Sequence, residues 1–238
     1  DSETPHMGGA GLVDVGDVPS HVVDGAANRL AIAGAVGEIL AAGAVPLVLG
    51  GDDSVPIPVL EAFAGTTLTI VQIDAHIDWR DSVDGVRHGF SSTMRRASDM
   101  AHVRAMVQVG ARGPGSARER DVRDAEAWGA EIVTARELHR RGVSAVLDRI
   151  PREHAVYLAV DVDGLDPALV PGVLLPAFGG VTYTQMLELI HGLETRAPLV
   201  GASFVEYVPA ADPTGYGAKA VARLASNVVA AIARQHGR

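Results

Sequence analysis

Acidic residues gather at four places in this sequence, each directly after an apolar run. G-G-D-D-S (Gly50 to Ser54) follows V-P-L-V-L, and D-A-H-I-D (Asp74 to Asp78) follows L-T-I-V-Q-I. D-V-D-G-L-D-P (Asp161 to Pro167) follows A-V-Y-L-A-V, and V-E-Y-V-P (Val205 to Pro209) follows V-G-A-S-F. A carboxylate at the end of a buried strand is unfavourable unless something pairs with it. Here Asp52, Asp53, Asp74, Asp78, Asp161, Asp163 and Asp166 all sit at such ends. Close like charges would keep several of them protonated, and bound divalent cations remove that conflict. Carboxylates joined by one imidazole, His76, suit Mn²⁺ or a similar ion, whereas calcium usually takes oxygen ligands only. Asp74, His76 and Asp78 alternate, so they can converge where strand gives way to loop, and Asp161 and Asp163 repeat the spacing. Singly, a Gly-Gly-Asp is an ordinary turn and D-x-D occurs by chance. Together, each behind its own buried strand, they point to a divalent-metal site used for hydrolysis.

The elements that must position these residues alternate along the chain. Residues from Asp24 to Gly43 place Leu30, Ala33, Val36, Ile39 and Leu40 at helical spacing, and Pro46 ends that helix. Six short apolar segments read as buried strands: V-P-L-V-L-G-G, L-T-I-V-Q-I-D, A-M-V-Q-V-G, E-I-V-T-A, A-V-Y-L-A-V-D and L-V-G-A-S-F-V-E. Helices are expected after Pro56, over Glu137 to Arg141, Val143 to Ile150 and Tyr183 to Glu194, and from Ala218 onward. Thr182 and Gln185 have capping-box spacing ahead of the fourth of these. Continuous apolar strands separated by helices predict an α/β fold whose mostly parallel sheet is covered on both faces. Such sheets bind ligands beyond the C-terminal ends of their strands, where the acidic segments fall.

Composition narrows the function classes. The 238 residues suit one α/β domain, and the absence of cysteine excludes disulfides and thiolate metal sites and fits a reducing cytoplasm. A formal charge of −9 with no Lys/Arg cluster among aromatics argues against nucleic acid as a partner. Arg95-Arg96, Arg118 to Arg123 and Arg140-Arg141 are broken by acids and read as solvated helix faces. The longest apolar run, Ile39 to Gly51, contains Pro46 and is too short to span a bilayer, so no membrane segment is expected. The N-terminus lacks Met and any signal-peptide pattern and reads as a cut end.

From about Gly11 (G-L-V-D-V-G-D-V) to Pro209, D-A-H-x-D followed by D-x-D-x-x-D-P resembles the ureohydrolase family of arginases and agmatinases, with M-R-R-A closer to the agmatinase branch. The resemblance implies a three-layer α/β/α fold and two Mn²⁺ ions per chain bridged by hydroxide. It implies hydrolysis of a small guanidino compound, agmatine-like, to urea and an amine, by a homo-oligomer (a trimer or hexamer). Carried over by position, Asp74 and Asp161 would bridge the two metals, Asp78 would join the first, and His76 and Asp163 the second. Asp166 would support the loop, and Glu206 would hold the guanidinium by a charge-assisted pair.

Four departures from the family pattern stand out. Asp53 occupies the position of a metal-ligating histidine, which would make the first site wholly carboxylate and leave the bridging water less acidic. The proton-transfer histidine has two alignments: counting forward from Asp74 selects His88, while counting back from M-R-R-A selects Phe90 and leaves no histidine. We take His88 as the expected position. V-P-G-V-L-L-P-A-F-G-G replaces a polar Thr-Gly-Thr-Pro-type segment, and the family's first strand is missing ahead of Gly11. These departures keep two alternatives open: a weak or inactive homologue acting as a subunit or binding protein, and an amide hydrolase on the same metal scaffold. Trp79 is open between a wall of the site and the core, and the remaining histidines read as structural or exposed.

Overall fold

The computed structural model describes residues 11–236, so the N-terminal residues read as a cut end lie outside it. All six expected strands form, as β1 (Leu47–Leu49), β2 (Leu68–Ile73), β3 (Val103–Val109), β4 (Glu131–Val133), β5 (Ala155–Asp161) and β6 (Leu199–Val205). They make one sheet of order β1-β6-β5-β2-β3-β4 in which every neighbouring pair is parallel.

Side chains alternate across a strand, so each central strand feeds two cores. Val71 and Ile73 of β2 and Val156, Leu158 and Val160 of β5 face one core. Leu68 and Ile70 of β2 and Tyr157 and Ala159 of β5 face the other. The first core is completed by α5 (Ala135–Arg141), α6 (Ser144–Leu147), α7 (Tyr183–Arg196) and α8 (Tyr216–His236), through Leu138, Val146, Ile190 and Leu224. The second is completed by α1 (Gly25–Ala41), α2 (Pro56–Glu61), α3 (Thr93–Ala97) and α4 (Glu119–Trp128), through Val36, Leu60, Met94 and Ala125. The result is the expected three-layer α/β/α arrangement. No described helix is long and apolar enough to cross a membrane.

Local signals behave as the residues dictate. The capping box forms: Gln185 N–H donates to Thr182 Oγ1 at 3.2 Å and Thr182 N–H to Gln185 Oε1 at 3.0 Å. Asp24 Oδ1 caps α1 by accepting from Ala27 N–H at 2.9 Å. Two expectations fail. β1, read as a buried strand, lies at the edge of the described sheet, and its Leu49 is 66% exposed. Arg96 is not a solvated residue but is 6% exposed, its guanidinium 2.6 Å from Asp81. The compensating charge comes from a loop 15 residues earlier, which a local charge pattern does not reveal. Arg118, Arg120 and Arg123 pair with acids within or beside α4.

Candidate metal centre

The strand order decides what meets what. β1, β6, β5 and β2 are consecutive in the sheet, so the four acidic segments, far apart in sequence, end side by side. Gly50 N–H donates to Phe204 O at 2.8 Å and Glu206 N–H to Gly51 O at 2.9 Å, tying the ends of β1 and β6. Glu206 Oε1 in turn accepts from Asp53 N–H at 2.9 Å. At β5 the chain turns tightly through residues 162–164, where Asp163 N–H donates to Asp161 Oδ1 at 2.8 Å. Gly164 lets this turn press on β2, since a Cβ there would stand 2.5 Å from the Asp74 nitrogen.

Two groups of side chains bring ligand atoms within 4.8 Å of one another: Asp53, Asp74 and Asp161, and Asp74, His76 and Asp163. Asp74 belongs to both. His76 Nδ1 lies 3.2 Å from Asp74 Oδ1 and 3.2 Å from Asp163 Oδ2. Asp78 is in neither group but lines the same cleft and is held by Gln72 Nε2, 3.1 Å from its Oδ2. Asp166 supports the loop: its carboxylate accepts from the N–H groups of Ala168 (2.9 Å), Gly179 (2.8 Å) and Gly180 (3.1 Å). His88 is not among the residues lining the cleft, whereas Phe90 and Ser91 are. Trp79 plays both parts open to it, lining the cleft and packing in the core with its ring centroid 6.1 Å from that of Trp128.

Protonation in this cluster follows burial and like charge. Burial, then the Asp78 and Asp161 carboxylates, push Asp53 well above the usual carboxylate range. Burial and the neighbouring aspartates do the same to Asp74 and Asp161, and burial raises Asp78. Burial also works against Asp163, yet its contact with His76 holds it low, and the same hydrogen bond raises His76. Asp53 Oδ2 is buried and receives no hydrogen bond among the described residues. An oxygen without a donor, amid carboxyls that resist ionisation, is what a divalent cation would satisfy. The residues therefore fit a metal pair.

A stability consequence follows from those directions. A carboxyl with a raised folded pKa keeps a proton that the unfolded chain releases. The contribution of Asp53, Asp74, Asp78 and Asp161 to the metal-free fold is therefore fully present below the usual carboxylate pKa of about 4, and is lost as pH climbs through the raised values. Cations favour the ionised form, so the rise in Tm on adding Mn²⁺ should grow between about pH 5 and about pH 8. Scanning calorimetry at several pH values checks this, and a pH-independent increment would count against the cluster as the binding site.

Three supporting residues were not legible as functional in the sequence. Gln108 Nε2 donates to Gln72 Oε1 at 2.6 Å, and Gln72 Nε2 donates to Asp74 Oδ2 at 2.6 Å, so two paired strand amides hold the shared aspartate. Their signal was a lone amide inside each of two apolar strands, which the register sets opposite one another. Arg112 binds the carbonyls of Asp163 (2.8 Å), Leu165 (3.1 Å) and Ala177 (2.7 Å), clamping the metal loop to the V-P-G-V-L-L-P-A-F segment. Among the described non-glycine residues, Asp78, Asp84 and Glu206 have positive φ, at 44°, 50° and 65°, and of these Asp78 and Glu206 line the cleft.

The sequence model of the arginase family matches residues 2–232. The chain is a member of the arginase family. It is 32% identical over 211 residues to a guanidinobutyrase of Pseudomonas aeruginosa, covering 86% of this chain and 66% of that protein. It is also 32% identical to the mitochondrial agmatinase of Gallus gallus, covering 86% of this chain and 62% of the relative. This arginase-family chain thus spans just under two thirds of those relatives' length. Among solved structures it resembles the proclavaminate amidino hydrolase of Streptomyces clavuligerus (TM-score 0.85, 28% identity, 94% of this chain and 76% of that one). It likewise resembles a hypothetical agmatinase from Burkholderia thailandensis (TM-score 0.83, 28% identity, 95% and 71%). The family members named here act on guanidino compounds, which agrees with an acidic cleft above two overlapping metal-ligand groups.

Proposed function

We propose that this chain hydrolyses a small linear guanidino compound to urea and an amine, using two divalent cations with Mn²⁺ preferred. The observation that carries this reading is Asp74, shared between two metal-ligand groups, one of which includes Asp53, whose N–H donates to Glu206. Asp53, Asp74, Asp161 and Asp78 would hold one cation, and Asp74, His76, Asp163 and Asp161 the other. Bound there, the pair would supply a water acidic enough to attack near neutral pH.

The chain's own residues do the rest. Glu206 is half-buried and spends Oε1 on Asp53 N–H, which leaves Oε2 to accept a guanidinium N–H in a charge-assisted bond. Gln72 and Gln108 keep Asp74 and Asp78 oriented. The departing amine needs a proton, and the attacking water has one to give up. His88, expected in that role, is not among the residues lining the cleft, whereas Asp78 is, so we assign the relay of that proton to Asp78 Oδ.

A second reading, a weak or inactive relative, is favoured by Asp53 in place of an imidazole and Phe90 at the cleft wall. Metal content and urea release, measured together after Mn²⁺ loading, separate the two. About two ions per chain with urea formed from guanidino compounds supports hydrolysis. No urea from a fully loaded protein overturns it.

A further inference from the structure

The cleft is lined by two chemically different sets of charged residues, in a space of about 430 Å³ suited to a small ligand. Asp53, Asp78, Asp161, Asp163 and Glu206 are acidic, and Glu206 is raised by burial and by the Asp52 charge. Trp79, Phe90, Val173, Leu174 and Leu175 supply apolar lining. Arg80 and Asp121 also line the cleft. Glu206 follows β6 and Arg80 follows β2, with β5 between those two strands in the sheet.

Arg80 shares its one acidic partner among the described residues. Its Nε lies 3.3 Å from the buried Asp121 Oδ2, but Asp121 is already held by Arg118, with Nε to Oδ2 at 2.7 Å and Nη2 to Oδ1 at 2.9 Å. Arg120 Nε adds a third guanidinium 3.6 Å from Oδ1. Three guanidiniums around one carboxylate leave excess positive charge beside the cleft. The terminal amino groups of Arg80 donate no hydrogen bond among the described residues. The backbone fixes the residue, since Arg80 N–H donates to Ser91 O at 2.9 Å. A planar guanidinium whose terminal N–H groups donate to no described residue suits a carboxylate and repels an ammonium.

We propose that Arg80 binds the tail of the substrate and that this tail is a carboxylate, so that the substrate class is an ω-guanidino acid rather than the agmatine-like guanidino amine expected from the sequence. The guanidinium would lie at Glu206, the methylene chain along Trp79, Phe90 and the 173–175 segment, and the carboxylate at the Arg80 fork. This rests on the hydrolytic reading above.

The test compares 3-guanidinopropionate, 4-guanidinobutyrate and agmatine with Mn²⁺-loaded protein, by urea release and by calorimetric binding. Loss of a charge-assisted pair corresponds to about 10- to 100-fold. One of the two acids should therefore exceed agmatine in kcat/KM by at least about tenfold. Arg80→Gln should remove that margin and Arg80→Glu should reverse it. Should Arg80→Glu fail to fold beside Asp121, Arg80→Gln carries the comparison alone. Agmatine preferred by the unmodified protein, or an unchanged preference in Arg80→Gln, overturns the assignment. If no guanidino compound yields urea, the hydrolytic reading has failed and binding still decides the tail. Binding of 4-guanidinobutyrate that is lost in Arg80→Gln upholds the carboxylate site, and no binding to the unmodified protein overturns it.

Discussion

Replacing Asp74 by asparagine should leave the protein unable to retain either cation and lower urea release at least ~10³-fold, beyond the ~10²–10³ typical of losing one preorganised catalytic donor. Asp74 belongs to both ligand groups that the geometry brings together, it is 1% exposed, and Gln72 and the His76 N–H fix its two oxygens. Asparagine keeps the shape but removes the charge shared by two cations. Asp163→Asn touches one group only, so it should weaken a single cation. Elemental analysis after dialysis distinguishes the pair: similar losses in both variants would refute the shared role of Asp74. The fold itself gives a second readout. Asp74→Asn removes the charge that cations would share, so the rise in Tm on adding Mn²⁺ should be lost in the variant.

Asp53→His should act in the opposite direction, raising urea release about tenfold near pH 7, equivalent to about 1.4 kcal/mol of barrier. Asp53, Asp74 and Asp161 form an all-carboxylate group, and an imidazole at residue 53 would remove one negative charge from it. A less negative shell makes the attacking water more acidic, so more is ionised near neutrality. The gain should shrink towards pH 9 or so, where ionisation is no longer limiting. Asp53 borders the cleft, which provides space for the larger ring. Steady-state rates across pH at saturating Mn²⁺ give the answer. A variant that holds both ions yet is no faster at any pH would move the limiting departure elsewhere, to Phe90 or the apolar 173–175 wall.

What the sequence makes legible is set by how local the signal is. Each strand was visible because a parallel sheet buried on both faces demands an unbroken apolar run, and the acidic residues stood out against those runs. The adjacency of β1 and β6 has no such signal, although Asp53 N–H and Glu206 Oε1 meet only because of it. α3 escaped notice at five residues, and α4 because its residues are mostly charged. Arg96 is misjudged by charge pattern alone, since its partner Asp81 is contributed by a tertiary contact. His88 and Phe90 were equivalent by counting, and the cleft wall separates them because it includes Phe90 and not His88.

The left-handed backbone at Asp78 and Glu206 bears on any attempt to improve this protein in the laboratory. A side chain held at positive φ costs the fold of order 1–3 kcal/mol, and glycine would escape most of it. Directed evolution that screens for heat resistance alone would reward glycine at both positions and discard the two carboxylates proposed to meet the guanidinium and the departing amine. A library screened for heat resistance and urea release together would have to find its gains elsewhere, for example in the exposed 80s loop, leaving these two strained residues as the part of the molecule least open to optimisation.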